Sequence, residues 1–469
     1  MKKANTLLSD MIRLTKGEGS SLHLQIYTQL KRAILQGDLP SGFMLPPSRK
    51  LAEELSVSRN TVVLSFENLK AEGLIESNKG SGTCVSFIDS RETKNDSPNS
   101  KAEAEVLGGG LFLPGLPDLT VFPAKKWHSL LEEANSNATK IIGAIDINSG
   151  LPALKAEVAS YLKFARGLSI SSHQVFITAG VSQSLKLIAS CLGHQGDRVW
   201  MEDPGYQVAR MSLQNEGFDV KSVSVDDKGA VLGKPSAPKF IYLTPSHQYP
   251  LGMSMPVSRR KTWLEFAREN ACWIIEDDYD GEFSYEGDPL PALSSQGQLS
   301  NSIYMGTFSK VLSPTLRINY LAVPDLLVDT FREKYPMLGN ESSCITQECL
   351  ANLLREGYFS QHIKKVRDLY KNRKTILDQA LSEKLGVNNP LNNLATGGLH
   401  TCLPLDTDDK AVYEKTVSQG LGCIPLSGMY KEEKPQQGLL IGFTAQNEEH
   451  IIRGVNELEK ILNNPSLCK

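Results

Sequence analysis

Met305-Gly306-Thr307-Phe308-Ser309-Lys310 closes an apolar run, Ser302-Ile303-Tyr304-Met305, on a lysine, and Arg317 follows seven residues later. A lysine that forms a Schiff base needs a desolvated pocket to lower its pKa, plus an anchor for a cofactor phosphate. Thr307 and Ser309 offer hydroxyls, and Arg317 can supply a bidentate charged pair. A Ser-Lys dipeptide is not specific by itself. Its company decides.

Three further stretches supply that company. Trp273–Ile275 reads as a strand and ends in Glu276-Asp277-Asp278-Tyr279-Asp280, where a carboxylate can keep a pyridine nitrogen protonated. Thr178-Ala179-Gly180-Val181-Ser182-Gln183 reads as a strand end opening into a helix, whose free N–H groups form an anion site. Glu202-Asp203-Pro204-Gly205-Tyr206 reads as a strand-end turn with an aromatic able to stack on a ring. Taken singly, these are a solvated acidic loop, a helix cap and a plain turn. Their order along the chain is what carries weight: phosphate turn, stacking aromatic, carboxylate, lysine, arginine.

The short runs Val175–Thr178, Phe240–Leu243, Trp273–Ile275 and Ser302–Met305 alternate with amphipathic stretches. That predicts an α/β domain, a mostly parallel sheet covered by helices on both faces. Ligands in such folds sit beyond the carboxyl ends of the strands, where the four motifs fall.

Ahead of this domain the pattern changes. Residues 88–108 are polar and nearly free of bulky apolar side chains, which predicts a flexible linker between a unit at 1–87 and one at 109–469, with a small lobe from about 355. In the first unit Ile26, Tyr27, Leu30, Ala33 and Ile34 recur at helical spacing up to a stop at Gly37. Ser48 opens a second helix with Leu51, Ala52 and Leu55. Ser58 caps a third carrying Val62, Val63, Phe66 and Leu69, which closes at Gly73. Leu74–Glu76 and Thr83–Val85 then read as two strands around the turn Asn78-Lys79-Gly80-Ser81-Gly82. This is a winged helix-turn-helix, in which the third helix enters the major groove. Ser58, Arg59, Asn60 and Thr61 at its start, Arg49 on the helix before it and Lys79 at the wing tip are the candidate contacts to double-stranded DNA.

Charge agrees in direction: residues 1–86 hold 11 Lys and Arg against 8 Asp and Glu, the remainder 39 against 45. The eight cysteines form no CxxC pair and have no partners at zinc-ligand spacing, so no metal site is expected. No signal peptide and no run of about 18 apolar residues are visible, so a cytoplasmic protein without membrane contact is expected.

The run LPPSRKLAEELSVSRNTVVLSFENLKAEGLIESNKGSGTCV resembles the GntR-type winged helix-turn-helix. The order of motifs over about 109–460 resembles the fold-type-I aminotransferases. GLPDLTVFP, PSHQYPLG, EDDYDGEF and GTFSKVLSPTLR resemble more specifically the MocR subgroup of GntR regulators, in which such a head is joined to such a body. The resemblance implies pyridoxal 5'-phosphate as cofactor and assigns Lys310 to the internal aldimine. It places Asp277 at the pyridine nitrogen, Tyr279 near the phenolic oxygen and Tyr206 against the ring, with Val181, Ser182, Thr307, Ser309 and Arg317 at the phosphate. It implies DNA-face positions at Arg49, Arg59, Val63 and Lys79, though Val63 has no group for phosphate. It also implies a domain-swapped homodimer.

Some positions depart from the aminotransferase pattern. Tyr249 stands before Pro250-Leu251-Gly252 where those enzymes carry asparagine, and Leu440 stands where a carboxylate-binding arginine would fall, leaving Arg210 as a possible substitute. No tyrosine occupies Ile145-Asp146, where one reaching a neighbouring subunit's phosphate would lie. His400, in a predicted strand, reads as structural. Three functions stay open: a regulator sensing an amine, an amino acid or the cofactor through Lys310; an aminotransferase with a DNA-binding appendage; and a DNA-binding dimer with an empty body. Whether the body catalyses a full transamination is left open with them.

Overall fold

The computed structural model describes residues 8, 11–15, 21–78, 82–86, 110–143, 149–233, 236–286, 290–297, 299–339, 342–386 and 397–463. The chain divides into two compact units near residue 104. The stretch expected as a linker, 88–108, lies outside the described residues, as do Lys79 and Ile145-Asp146.

In the first unit, α1 (Leu22–Leu35) buries Ile26, Leu30, Ala33 and Ile34, and Gly37 follows it at φ +81°. α2 (Ser48–Glu54) buries Leu51 and Ala52. Ser56 turns the chain at φ +54° into α3 (Arg59–Ala71). The Ser58 hydroxyl accepts from Thr61 N at 3.2 Å, satisfying one of the orphan donors of the first turn. Val62 and Leu69 of α3 are buried, and Ser65 Oγ bonds the His23 carbonyl at 2.8 Å, tying α3 to the start of α1. β2 (Ile75–Asn78) and β3 (Gly82–Val85) form the expected wing. A third strand, β1 (Met44–Leu45), adds to β3, and its two residues were too few to show a period.

The second unit is built on an eight-stranded sheet. In chain order its strands are β4 (Val175–Thr178), β5 (Arg198–Asp203), β6 (Asp219–Asp226), β7 (Gly229–Ala230), β8 (Phe240–Leu243), β9 (Trp273–Asp278), β10 (Ser302–Thr307) and β11 (Asn319–Ala322). Their spatial order is β4-β11-β10-β9-β8-β5-β6-β7. β10, β9, β8, β5 and β6 are parallel neighbours; β11 and β7 run against them. Both faces are covered, which is why the strands read as unbroken apolar runs rather than alternations. Val175 and Ile177 point into a core shared with the helices Pro152–Ala165 and Cys344–Arg355. Phe176, between them, points into the opposite core with the helix Val181–Leu192.

Beyond the long helix Tyr358–Leu385, β12 (His400–Pro404), β13 (Ile424–Pro425) and β14 (Gly438–Gly442) form a separate antiparallel sheet, order β12-β14-β13, packed on the helix Glu448–Leu462.

Candidate functional site

Parallel neighbours end on the same side of a sheet, so the residues following β10, β9, β8 and β5 converge there. A cleft of about 420 Å³ opens at that edge. It is lined by Lys310, Asp277, Tyr279, Tyr206, Val181, Ser182, Thr307, Ser309 and Arg317, all nine body residues singled out above, together with Tyr249 and His400.

Lys310 Nζ donates to the Gly115 carbonyl at 2.9 Å. Burial pushes its pKa below the usual lysine range, while Asp280 and Asp277 pull the other way. Asp277 is buried, and Tyr242 on β8 donates a hydrogen bond to its carboxylate. Burial raises this acid to about 7; the Tyr242 bond opposes that rise. The acidic run at the end of β9 is sorted by strand parity. Glu276 accepts from Leu293 N and Ser294 N at 2.7 Å each, and Asp278 pairs with Arg166 at 2.6 Å. Asp277, between them, lines the cleft. Tyr279 Oη is buried beside the Asp280 carboxylate, and burial with that neighbouring charge pushes its pKa up.

At the other end of the cleft the helix Val181–Leu192 begins after Gly180, whose φ of +146° suits glycine. A Cβ on Gly180 would stand 3.9 Å from Arg317 Nη2, so the guanidinium lies over the helix start. Arg317 is itself exposed, in the left-handed region at φ +53°. Ser182 Oγ accepts from Ser212 at 2.9 Å; Thr307 Oγ1 donates to Asn319 Oδ1 at 2.9 Å and accepts from Ser309 N at 3.1 Å. A positive dipole end, a guanidinium and hydroxyls around one space make an anion seat.

Tyr249 sits at the centre of an aromatic wall, edge-on to Tyr206 (5.3 Å), Tyr279 (5.9 Å) and His400 (5.4 Å). His400 is tied to the Pro250 carbonyl at 2.9 Å, and burial pushes its pKa down. That backbone tie is what a structural histidine would make, and His400 also lines the cleft. Arg210 does not take the place of a carboxylate anchor. It is buried, with Nη2 3.4 Å from Glu202 O and from Ser222 Oγ. Leu440 is packed in an apolar cluster with Leu251, Met253, Cys402 and Leu426. Sequence reasoning gave no role to Gly115, Tyr242 or Asn319. Gly115 stood in a quoted motif without a stated use, and the other two come from strands whose partners were unknown.

In the first unit, Arg49, Ser58, Arg59 and Asn60 are exposed, and Thr61 and Val63 are half-buried. The Ser58 and Thr61 hydroxyls lie 2.8 Å apart.

Residues 22–85 match the bacterial regulatory proteins of the gntR family, and residues 122–431 match aminotransferase class I and II. The probable rhizopine catabolism regulatory protein MocR of Rhizobium meliloti is 33% identical, over 96% of this chain and 95% of its own length. This chain belongs to the MocR-type GntR regulators. The pyridoxine biosynthesis transcriptional regulator PdxR of Corynebacterium glutamicum is 30% identical over 94% of this chain and 96% of itself. Among solved structures, an archaeal alanine:glyoxylate aminotransferase matches with a TM-score of 0.69 at 24% identity, covering 77% of this chain and 93% of its own. A Pyrococcus horikoshii kynurenine aminotransferase matches at 0.68 and 25%, covering 76% and 91%. The MocR-type regulator is thus a GntR head followed by a body of fold-type-I aminotransferase architecture. No helix among the described residues is long and apolar enough to cross a membrane.

Proposed function

We propose that this MocR-type regulator holds pyridoxal 5'-phosphate in the strand-end cleft, bonded to Lys310, and changes its DNA binding when an amine or the cofactor itself acts there. The carrying observation is the set of groups facing one space: a desolvated lysine amine, a buried carboxylate and a buried tyrosine. The chemistry of each fits one part of the cofactor. Asp277 would hold the ring nitrogen, Tyr279 Oη would meet the phenolic oxygen, and Tyr206 would cover the ring. The start of the helix Val181–Leu192, with Ser182, Thr307, Ser309 and Arg317, would hold the phosphate.

Bound there, the cofactor supplies an aldehyde carbon that exchanges amines and a ring that draws electrons. The residues of this chain do the rest. Burial lowers the pKa of Lys310 and so favours its unprotonated, nucleophilic form. Asp277 would keep the ring nitrogen protonated, and the wall of Tyr206, Tyr249 and His400 would limit the space left for an incoming amine. Lys310 and Arg317 are the lysine and arginine side chains among the described lining residues. Both are engaged in this assignment, and Leu440, set in an apolar cluster where the aminotransferase pattern has a carboxylate-binding arginine, supports sensing over turnover of amino acids.

On the head, α3 would enter the major groove with Arg59, Asn60 and Thr61, while Arg49, Ser58 and Lys79 would position it on the backbone. A cytoplasmic, domain-swapped homodimer on operator DNA is part of this reading.

Borohydride reduction followed by peptide mapping tests it. A pyridoxyl adduct on the Lys310 peptide, absent in Lys310→Ala, is expected, together with an operator affinity that changes on adding cofactor or an amine. An unmodified Lys310 peptide overturns the sensor assignment. Multiple turnovers of keto-acid release without any DNA binding would favour the enzyme instead.

A further inference from the structure

Residues 110–118 form a strap held at both ends. Leu111 N donates to the Gly420 carbonyl and Gly442 N to the Phe112 carbonyl, at 2.8 Å each. At the far end Asp118 N donates to Tyr370 Oη at 2.8 Å, and the Asp118 carboxylate pairs with Arg373 at 2.8 Å. Between these anchors Pro114 and Gly115 face the cleft, and the Gly115 carbonyl accepts from Lys310 Nζ. Gly115 has a φ of +77°, and a Cβ there would stand 2.7 Å from Nζ. Glycine alone lets the backbone come this close in this conformation.

We propose that the Gly115 carbonyl is the dock for Lys310 whenever its amine is free, so that the 110–118 strap is held or released according to whether Lys310 carries the cofactor. This rests on the reading that Lys310 is the attachment point. When Nζ condenses with an aldehyde carbon, a nitrogen–carbon double bond forms and the carbonyl oxygen leaves as water with both amine hydrogens. The amine donor that meets Gly115 is then gone. A primary amine that takes over that carbon returns two hydrogens to Nζ, and nothing is oxidised or reduced. The lysine docks again. In sequence the strap directly follows residues 88–108, so the state of Lys310 is expressed where the body begins. Gly115 acts here as a positioning residue.

Hydrogen–deuterium exchange of the full-length protein tests this, reading the amides of Leu111 and Asp118, whose bonds to Gly420 and Tyr370 anchor the strap. Cofactor-free wild type is expected to exchange about five-fold more slowly there than Lys310→Met, the factor one ordinary hydrogen bond is worth. Adding pyridoxal 5'-phosphate to wild type should raise exchange to the Lys310→Met level, and an excess of a primary amine should lower it again. Gly115→Ala should match Lys310→Met while exchange in residues 400–404 stays unchanged, which separates lost docking from lost folding. Equal exchange in cofactor-free wild type and Lys310→Met overturns the dock. A pyridoxyl adduct on Lys310 without any change at Leu111 and Asp118 overturns the switch. No adduct at all, with the wild-type and Lys310→Met difference intact, shows that the cofactor reading has failed, and the switch with it.

Discussion

Tyr242 on β8 donates its hydroxyl to the Asp277 carboxylate on β9, the adjacent parallel strand, from within the sheet. A buried carboxylate otherwise prefers its neutral form, and burial does lift Asp277 to about 7. The tyrosine is what keeps an ionised fraction at neutral pH. In Tyr242→Phe the donor is gone and the pKa of Asp277 rises further, so fewer molecules offer a carboxylate to a ring nitrogen. Cofactor affinity at pH 7 should fall about ten-fold, the worth of one hydrogen bond to a charged group. It should recover part of that loss as pH is raised toward 9. An absorbance titration at the two pH values checks this; an affinity indifferent to both the variant and the pH contradicts it.

Glu202, at the end of β5, is fully buried and accepts from Thr244 N at 3.0 Å and Thr244 Oγ1 at 2.6 Å, with the Gln248 side chain close by. Burial, with Asp277 nearby, lifts it from its ordinary 4.5 to about 8. A raised acid favours the folded state in its protonated form. Its contribution is therefore complete below pH 4.5 and lost as pH climbs through about 8. Glu202→Gln cannot ionise, so its cofactor-free thermal stability should gain on wild type steadily over that window, on the order of 4 kcal/mol in total. Asp277 and Glu282, both lifted to about 7, leave some slope in either protein. Unfolding curves that shift in parallel from pH 5 to 9 would remove this account of Glu202.

The central sheet was legible because strands buried on both faces leave continuous apolar runs; Val175–Thr178 and Phe240–Leu243 stand where they were read. Trp273 and Ser302 start the strands that were expected, but these run on to Asp278 and Thr307. Pairing continues past the apolar residues: Asp278 opposes Gly306 across the ladder. Hydrophobicity marks where a strand is buried, and hydrogen bonding decides where it stops. The cleft was legible for the same reason as the sheet, since strand-end motifs must share one edge. Gly115, Tyr242 and Asn319 were not, because each acts through a partner far away in sequence: Lys310, Asp277 and Thr307.

In the proposed assignment Arg317 and the start of the helix Val181–Leu192 hold the phosphate while Asp277 meets the ring, so the two parts of binding should be separable. Arg317→Ala should weaken pyridoxal 5'-phosphate by about ten- to a hundred-fold, as expected for a charge-assisted pair at an exposed position. Pyridoxal, which lacks the phosphate, should bind wild type and variant alike. Equal losses for both ligands would mean that Arg317 acts on the shape of the cleft and not on an anion. Its left-handed backbone makes Arg317→Gly a useful control, since that change removes the charge while relieving the conformation.

On the head, side chains that share the start of α3 should fail in different ways. Arg59 is exposed at the first helical position, so Arg59→Ala should weaken binding to all sequences and flatten the salt dependence by about one unit of slope. Asn60 is exposed beside it and suits an adenine edge; Asn60→Ala should leave the salt slope alone and relax preference at one base position, at about 1–3 kcal/mol. Ser58 holds the helix end through Thr61 N and Oγ1, so Ser58→Ala should cost the head about 1 kcal/mol of stability as well as affinity. Binding to the DNA upstream of the protein's own gene, measured across a salt series with matched thermal unfolding, separates the three. If Arg59→Ala leaves the slope untouched, α3 is not the element facing the phosphates.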